Sequence, residues 1–285
     1  MSESISKITS LLRSLLGGST EPKNRVVTAI VLAGGIGSRM QGENGITKQR
    51  MELCSRPILA HTVQAFQDSD AVRHIVIVSR PEECALVEGW KEQYGWDKVT
   101  AIVCGGAERS DSALCGFKAI PDDTEVVLIH DGARCLVTHE IIEKVARAAL
   151  VHGAAIAAER VSSTVKQSDG KGFVASTIDR STVYLAQTPQ GFLTEVYRAA
   201  AYLHLDRGGA AVTDDASLCE ESELPVKLVE CGEENLKITT PRDLHIARAI
   251  LAEREEKQAE RAEAERRTAA DRAQDRAKRR EARNP

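Results

Sequence analysis

Two cations and a cluster of glycines carry the first chemical suggestion in this 285-residue sequence. The stretch Ala29-Ile30-Val31-Leu32-Ala33-Gly34-Gly35-Ile36-Gly37-Ser38-Arg39-Met40 runs from an apolar strand into a glycine turn, and Lys48 follows shortly after. Glycines lack the Cβ that would keep backbone N–H groups away from phosphate oxygens. Three kinds of loop use this property. A dinucleotide fingerprint needs a third glycine where Met40 stands, and no ribose-binding acid closes a second strand at the expected distance. A Walker A loop needs GxxxxGK followed by Ser or Thr, and that spacing is absent. The third kind wraps a nucleoside triphosphate and sends basic side chains to its phosphates, a role that Arg39 and Lys48 fit. Nucleotidyl transfer sets an attacking phosphate against the α-phosphate of a triphosphate, so negative charge gathers on the α-phosphoryl oxygens and on the departing pyrophosphate. Fixed cations neutralise that charge, and positioning with electrostatics suffices without a covalent intermediate.

Further candidates lie along the chain. Gly105 and Gly106 form a second glycine turn between the strand-like Thr100-Ala101-Ile102-Val103 and a helical stretch that includes Ser112. His130-Asp131-Gly132-Ala133-Arg134 follows the apolar run Val126–Ile129; an acid there suits a hydrated Mg²⁺, a sugar hydroxyl or a helix N-cap. Thr177-Ile178-Asp179-Arg180, Gln187-Thr188-Pro189-Gln190 and Asn235-Leu236-Lys237-Ile238-Thr239 add polar groups and cations. Taken singly, each such cation is more often a solvated surface charge than a ligand.

The elements that must position these residues form an α/β body from about residue 26 to residue 251. Short apolar β-branched runs alternate with amphipathic stretches, which predicts a mostly parallel sheet with helices on both faces. Both glycine turns then sit at carboxyl ends of strands and face one crevice. Between Ser163 and Gln187 the pattern changes to alternation around Ser168-Asp169-Gly170, which predicts a protruding β-hairpin arm over about residues 160–187. Residues 1–25 read as an extension with a short amphipathic helix at Ile5, Ile8, Leu12 and Leu15. Residues 252–285 contain 11 basic and 9 acidic residues among alanines, so a solvated helix or a disordered tail is expected there.

Composition narrows the function classes. A net charge of −4 leaves no basic footprint for nucleic acid. No apolar run is long enough to span a bilayer. The 7 cysteines lack CxxC spacing and read as reduced thiols of a cytoplasmic protein rather than a disulfide or zinc framework.

Taken together, LAGGIGSRM, TKQ, GGAERSDS, HDGAR, TIDR, QTPQ, TDDAS and NLKIT resemble the 2-C-methyl-D-erythritol 4-phosphate cytidylyltransferases of the non-mevalonate isoprenoid pathway, from about Val26 to Arg248. The resemblance implies a Rossmann-like, GT-A-like nucleotidyltransferase fold and transfer of CMP from CTP to methylerythritol phosphate. It implies that Arg39 and Lys48 stabilise charge on the CTP phosphates, while Arg180 and Lys237 position the substrate phosphate. Ala33, Gly34, Gly35, Gly37, Gly105, Gly106, Ser112 and Asp131 would surround CTP. Asp131, Arg134, Thr164, Arg180, Thr188, Thr213 and Lys237 would contact the second substrate. Mg²⁺ would be held mainly by CTP phosphates, with no direct protein ligand. The family's homodimer would place Thr164 and Arg180 of the arm in the neighbour's site. Ala107, Gly132, Cys135 and Arg50 depart from residues often found in the family, and none replaces an expected phosphate cation. A cyclodiphosphate synthase activity, fused in some members, is not expected from a tail without histidine.

Three rivals remain. A ribitol-5-phosphate cytidylyltransferase shares the loops; TIDR and QTPQ favour methylerythritol phosphate. An inactive nucleotide-binding scaffold predicts loss of the loop cations, and Arg39, Lys48, Arg180 and Lys237 are all present. A GT-A sugar transferase needs DxD after a strand, and the HDGAR phrase lacks the second acid.

Overall fold

The computed structural model describes residues 20–35, 47–209 and 212–281, with the far end of the last helix described by its backbone. The predicted N-terminal helix lies outside these residues, as do Gly37 and Arg39.

β1 (Val27–Leu32) is buried on both faces, as its largely apolar sequence leads one to expect, and its one polar side chain, Thr28, pairs with the Thr124 hydroxyl at 2.8 Å. A small hairpin of β2 (Glu52–Leu53) and β3 (Arg56–Pro57) leads into α1 (Ile58–Gln67). Then follow β4 (His74–Ser79), α2 (Cys84–Tyr94), β5 (Val99–Cys104), α3 (Arg109–Phe117), β6 (Val126–Asp131), α4 (His139–His152) and β7 (Ala154–Arg160). α4 shows how sequence sets an element. Ile141, Ile142, Val145, Ala146, Ala149 and Leu150 recur at helical spacing and are buried, the Thr138 hydroxyl accepts from Ile141 N at 3.3 Å, and Gly153 at φ +90° closes the end.

The arm consists of β8 (Val165–Ser168) and β9 (Val174–Ile178), paired antiparallel. It is shorter than the expected 160–187. β7 keeps pairing through Arg160, and β10 (Tyr184–Leu193) begins before Gln187. The turn spans residues 169–173, where the Asp169 carboxylate accepts from Lys171 N and Phe173 N at 2.8 and 3.1 Å.

β10 is the largest departure from the sequence reading, which has the chain pass from arm to helix. It lies between β7 and β6, antiparallel to both. The register with β7 breaks between Ala186 and Gln190, around Pro189, which has no N–H to give a ladder. α5 (Thr194–Asp206), α6 (Ala216–Glu221), β11 (Lys227–Glu230) and α7 (Pro241–Glu281) complete the chain. The seven-stranded sheet has the order β11-β7-β10-β6-β1-β4-β5, parallel except at β10. α1 and α4 cover one face; α3, α5 and α6 cover the other, where the Tyr197 ring packs at a tilt against both Phe117 and Phe192. Gly116 lets α3 lie close on the sheet: a Cβ there would sit 2.4 Å from Ile30 Cγ2 and 2.8 Å from Val78 Cγ2.

A second, smaller core forms beside the sheet from Leu53, Ile58, Cys135, Leu136, Ile238 and Ala247. It fastens the first turns of α7 to the segments on either side of the predicted site. Cys135, which departs from the family pattern, is packed here, and burial pushes its thiol up to about 12. The charged stretch continues α7 as one helix through Glu281.

Candidate active site

The carboxyl ends of β1 and β6, the turn after β5 and the segment before α7 enclose a cavity of about 430 Å³. Its lining includes Gly34, Gly35, Lys48, Gly106, Ser112, Asp131 and Lys237, so the fold brings both glycine turns and two of the predicted cations together. The second turn is tightly built. The Asp111 carboxylate reaches back to accept from Glu108 N at 3.1 Å, and the Ser112 hydroxyl accepts from Gly106 N at 3.2 Å. A Cβ on Gly106 would fall 2.3 Å from that of Asp111, so glycine is required. Ala33 and Gly105 do not line the cavity; each donates its N–H to a neighbouring strand, to Val78 O at 2.7 Å and Ser79 O at 2.9 Å, and so fixes the turn beside it.

Asp131 is the centre of the charge distribution. Lys237 Nζ lies 2.8 Å from Oδ2, Arg109 Nε 3.4 Å from Oδ1 and Arg134 Nε 3.8 Å from Oδ2. Burial works against its ionisation, but Lys237, Arg109 and Arg134 outweigh that and hold the carboxyl well below its usual range. The helix N-cap alternative is thereby replaced by an ionic hub. Arg109 also donates to Asp215 Oδ2 at 2.6 Å, while Tyr197 donates to Asp215 Oδ1 at 3.1 Å. Asp215 nevertheless moves the other way from Asp131. Complete burial pushes it up, and a single cation does not offset what three cations offset at Asp131.

The QTPQ phrase acts as a double clamp. Gln187 accepts from Asn235 Nδ2 at 2.9 Å, which also donates to Thr188 O at 2.8 Å, so β10 holds the segment that carries Lys237. Gln190 Oε1 accepts from Asp215 N and Ala216 N, both at 3.0 Å, and thereby holds the segment that carries Asp215. Thr188 is buried. Its hydroxyl accepts from Asp131 N at 3.0 Å and lies 3.1 Å from His130 Nδ1, and His130 Nε2 is 3.2 Å from Arg134 O. A neutral histidine protonated on Nε2 satisfies every contact, with Thr188 donating to Nδ1. Burial pushes His130 down to about 3, in keeping with that neutral form. Thr188 thus supports Asp131 from behind. Arg134 does the same, donating to Asn235 O at 2.8 Å and to Ala186 O at 3.4 Å.

Lys48 donates to Ile238 O at 3.2 Å across the cavity mouth, tying the first loop to the Lys237 segment. Thr164 and Arg180 are exposed on the arm side and do not line this cavity, and Thr213 is exposed beside Ser217. The residues that sequence reasoning missed are Arg109, Asp215, Gln49 and Asn235. Arg109 lies inside the quoted phrase GGAERSDS, yet its partner Asp215 is distant in sequence and only the fold joins them. Among the described residues, buried Arg109 Nη2 and Gln49 Oε1 have no hydrogen-bond partner, which leaves donor and acceptor capacity at the cavity wall.

The profile of the family described as IspD, 2-C-methyl-D-erythritol 4-phosphate cytidylyltransferase, matches residues 27–253. The chain belongs to that family. A member from Geobacillus thermodenitrificans is 43% identical over 226 residues, covering 79% of this chain and 97% of its own length. Another, from Pelodictyon phaeoclathratiforme, is 38% identical over 236 residues, covering 79% of this chain and 97% of its own. Among solved structures, the 4-diphosphocytidyl-2C-methyl-D-erythritol synthase of Anaerococcus prevotii superposes with a TM-score of 0.72 at 29% identity, covering 83% of this chain and 100% of that one. The family is one of nucleotidyltransferases, and its fold is the α/β architecture described above. Among the described residues no helix is long and apolar enough to cross a membrane.

Proposed function

We propose that the chain transfers CMP from CTP to 2-C-methyl-D-erythritol 4-phosphate, giving 4-diphosphocytidyl-2-C-methyl-D-erythritol and pyrophosphate. The observation that carries this reading is the meeting of two glycine turns, Lys48 and the Asp131–Lys237 pair on one cavity. The glycine turns take the triphosphate and Lys48 lies against its phosphates. An oxygen of the substrate phosphate attacks the α-phosphorus in line; that P–O bond forms as the bond to the β-phosphate oxygen breaks and pyrophosphate leaves. Lys48 and Arg39 neutralise the charge that develops, and Lys237 draws in the substrate phosphate.

Mg²⁺ enters with CTP, held by the phosphates. The Asp131 carboxylate is engaged by three cations, which supports leaving the ion to the phosphates. Two such chains form a homodimer through the arm, so that Thr164 and Arg180 serve the neighbouring site. Support comes from Phe173 and Val174, 73% and 63% exposed on the arm, an apolar surface that a partner would cover. The free thiols accord with a cytoplasmic location.

Pyrophosphate release from CTP and Mg²⁺ with each alcohol phosphate tests the substrate. Release with methylerythritol phosphate is expected, and release with ribitol 5-phosphate alone would overturn the reading.

A further inference from the structure

Two thiols outside the reaction machinery stand next to the second glycine turn. Cys84 opens α2 and Cys104 ends β5, 20 residues apart in sequence, with their Sγ atoms 3.6 Å apart. Cys84 is half-buried and donates its thiol hydrogen to Arg80 O at 3.2 Å, while Cys104 is exposed. We propose that Cys84 and Cys104 form a reversible dithiol–disulfide site that links oxidation by a peroxide to nucleotide binding.

The exposed Cys104 meets the oxidant. Its thiol gives up its proton and the thiolate attacks an oxygen of hydrogen peroxide; the O–O bond breaks, Cys104 sulfenic acid forms, and the departing hydroxide takes up that proton and leaves as water. Cys84 sulfur then attacks the Cys104 sulfur; the S–S bond forms, the S–O bond breaks, and hydroxide leaves with the Cys84 proton as a second water. Two thiols and one peroxide become one disulfide and two waters. Burial, with the adjacent Cys104 thiol, raises Cys84 to about 11, which keeps it protonated and leaves the exposed Cys104 as the thiol that the peroxide reaches first.

Coupling to the nucleotide follows from where Cys104 stands. Closing the gap to a covalent bond of about 2 Å pulls on the residue immediately before Gly105. Gly105 has little room to yield: its N–H is held by Ser79 O at 2.9 Å, and a Cβ there would lie 2.7 Å from Ser112 Oγ. The pull therefore passes to Gly106 and Ser112, which line the cavity. A reducing cytoplasm keeps the pair open, and oxidative stress closes it.

The test treats the full chain with dilute hydrogen peroxide, maps disulfide-linked peptides by mass spectrometry and measures KM for CTP before and after dithiothreitol. The nucleotide readout rests on the proposed function; the peptide readout does not, so a chain inactive even when reduced counts against that function and not against the site. A Cys84–Cys104 peptide in most molecules, a KM raised at least threefold and restored by reductant, and no KM change in Cys84→Ser or Cys104→Ser are expected. Absence of the linked peptide, or its presence with unchanged KM, would overturn the proposal.

Discussion

Lys237 Nζ lies 2.8 Å from Asp131 Oδ2, so the cation assigned to the substrate phosphate belongs to an ionic hub that also contains Arg109 and Arg134. The lysine is aimed by the carboxylate, and Asp131→Asn would leave three cations facing one another without a counter-charge. Removing one partner of a buried pair typically costs about 3 kcal/mol or more. We expect Asp131→Asn to lower stability by about that amount in urea unfolding and to raise KM for the alcohol phosphate. Because the Asp131 carboxyl is depressed, its contribution is complete above the unfolded value and is lost as pH falls through the acid range.

His130 gives a second pH dependence at milder acidity. It is neutral in the fold, with its value pushed down to about 3, whereas the unfolded chain takes up that proton below about pH 6.5. Between those limits the unfolded state binds more protons, so stability falls as pH drops, by at most about 1.4 kcal/mol per pH unit. Urea midpoints measured from pH 7.5 to 4.5 should decline for the parent chain and stay flatter for His130→Asn, which keeps an acceptor and a donor.

The two glycine positions should separate packing from binding. Gly116→Ala puts a methyl against Ile30 and Val78, and overpacking of this kind costs about 1–3 kcal/mol. Its melting temperature should fall while KM for CTP stays unchanged. Gly106→Ala strikes Asp111 at the cavity wall and should raise KM for CTP.

Subunit mixing tests the shared site. Lys48→Ala and Arg180→Ala chains are each expected to be nearly inactive. After exchange, half the dimers are mixed and each has one intact site, so activity should return to about a quarter of the parent value. No recovery would place Arg180 in the site of its own chain.

Much of this was legible in the sequence because burial on both faces leaves an unmistakable pattern. Val126–Ile129 is a continuous apolar run and Val27–Leu32 is apolar except for Thr28, short β-branched stretches bounded by turn residues that suit central strands. β10 was not legible, because Gln187, Thr188 and Gln190 are buried polar residues satisfied by distant partners and Pro189 interrupts the ladder. The glycine turns and Lys48 were recognisable from local spacing. Arg109 and Asp215 were not, since 106 residues separate the two ends of one ion pair.

The central claim is that this cavity performs nucleotidyl transfer through fixed positive charge, and Lys48 tests it most directly. Its Nζ reaches across the mouth of the cavity to Ile238 O, and one such donor is commonly worth about 3–4 kcal/mol in the transition state. The measurement is kcat for CMP transfer from CTP to methylerythritol phosphate by Lys48→Ala, with folding verified by circular dichroism and Arg39→Ala run in parallel. A fall of about 10²–10³ is predicted. A change of less than about threefold, well under 1 kcal/mol, would contradict the account.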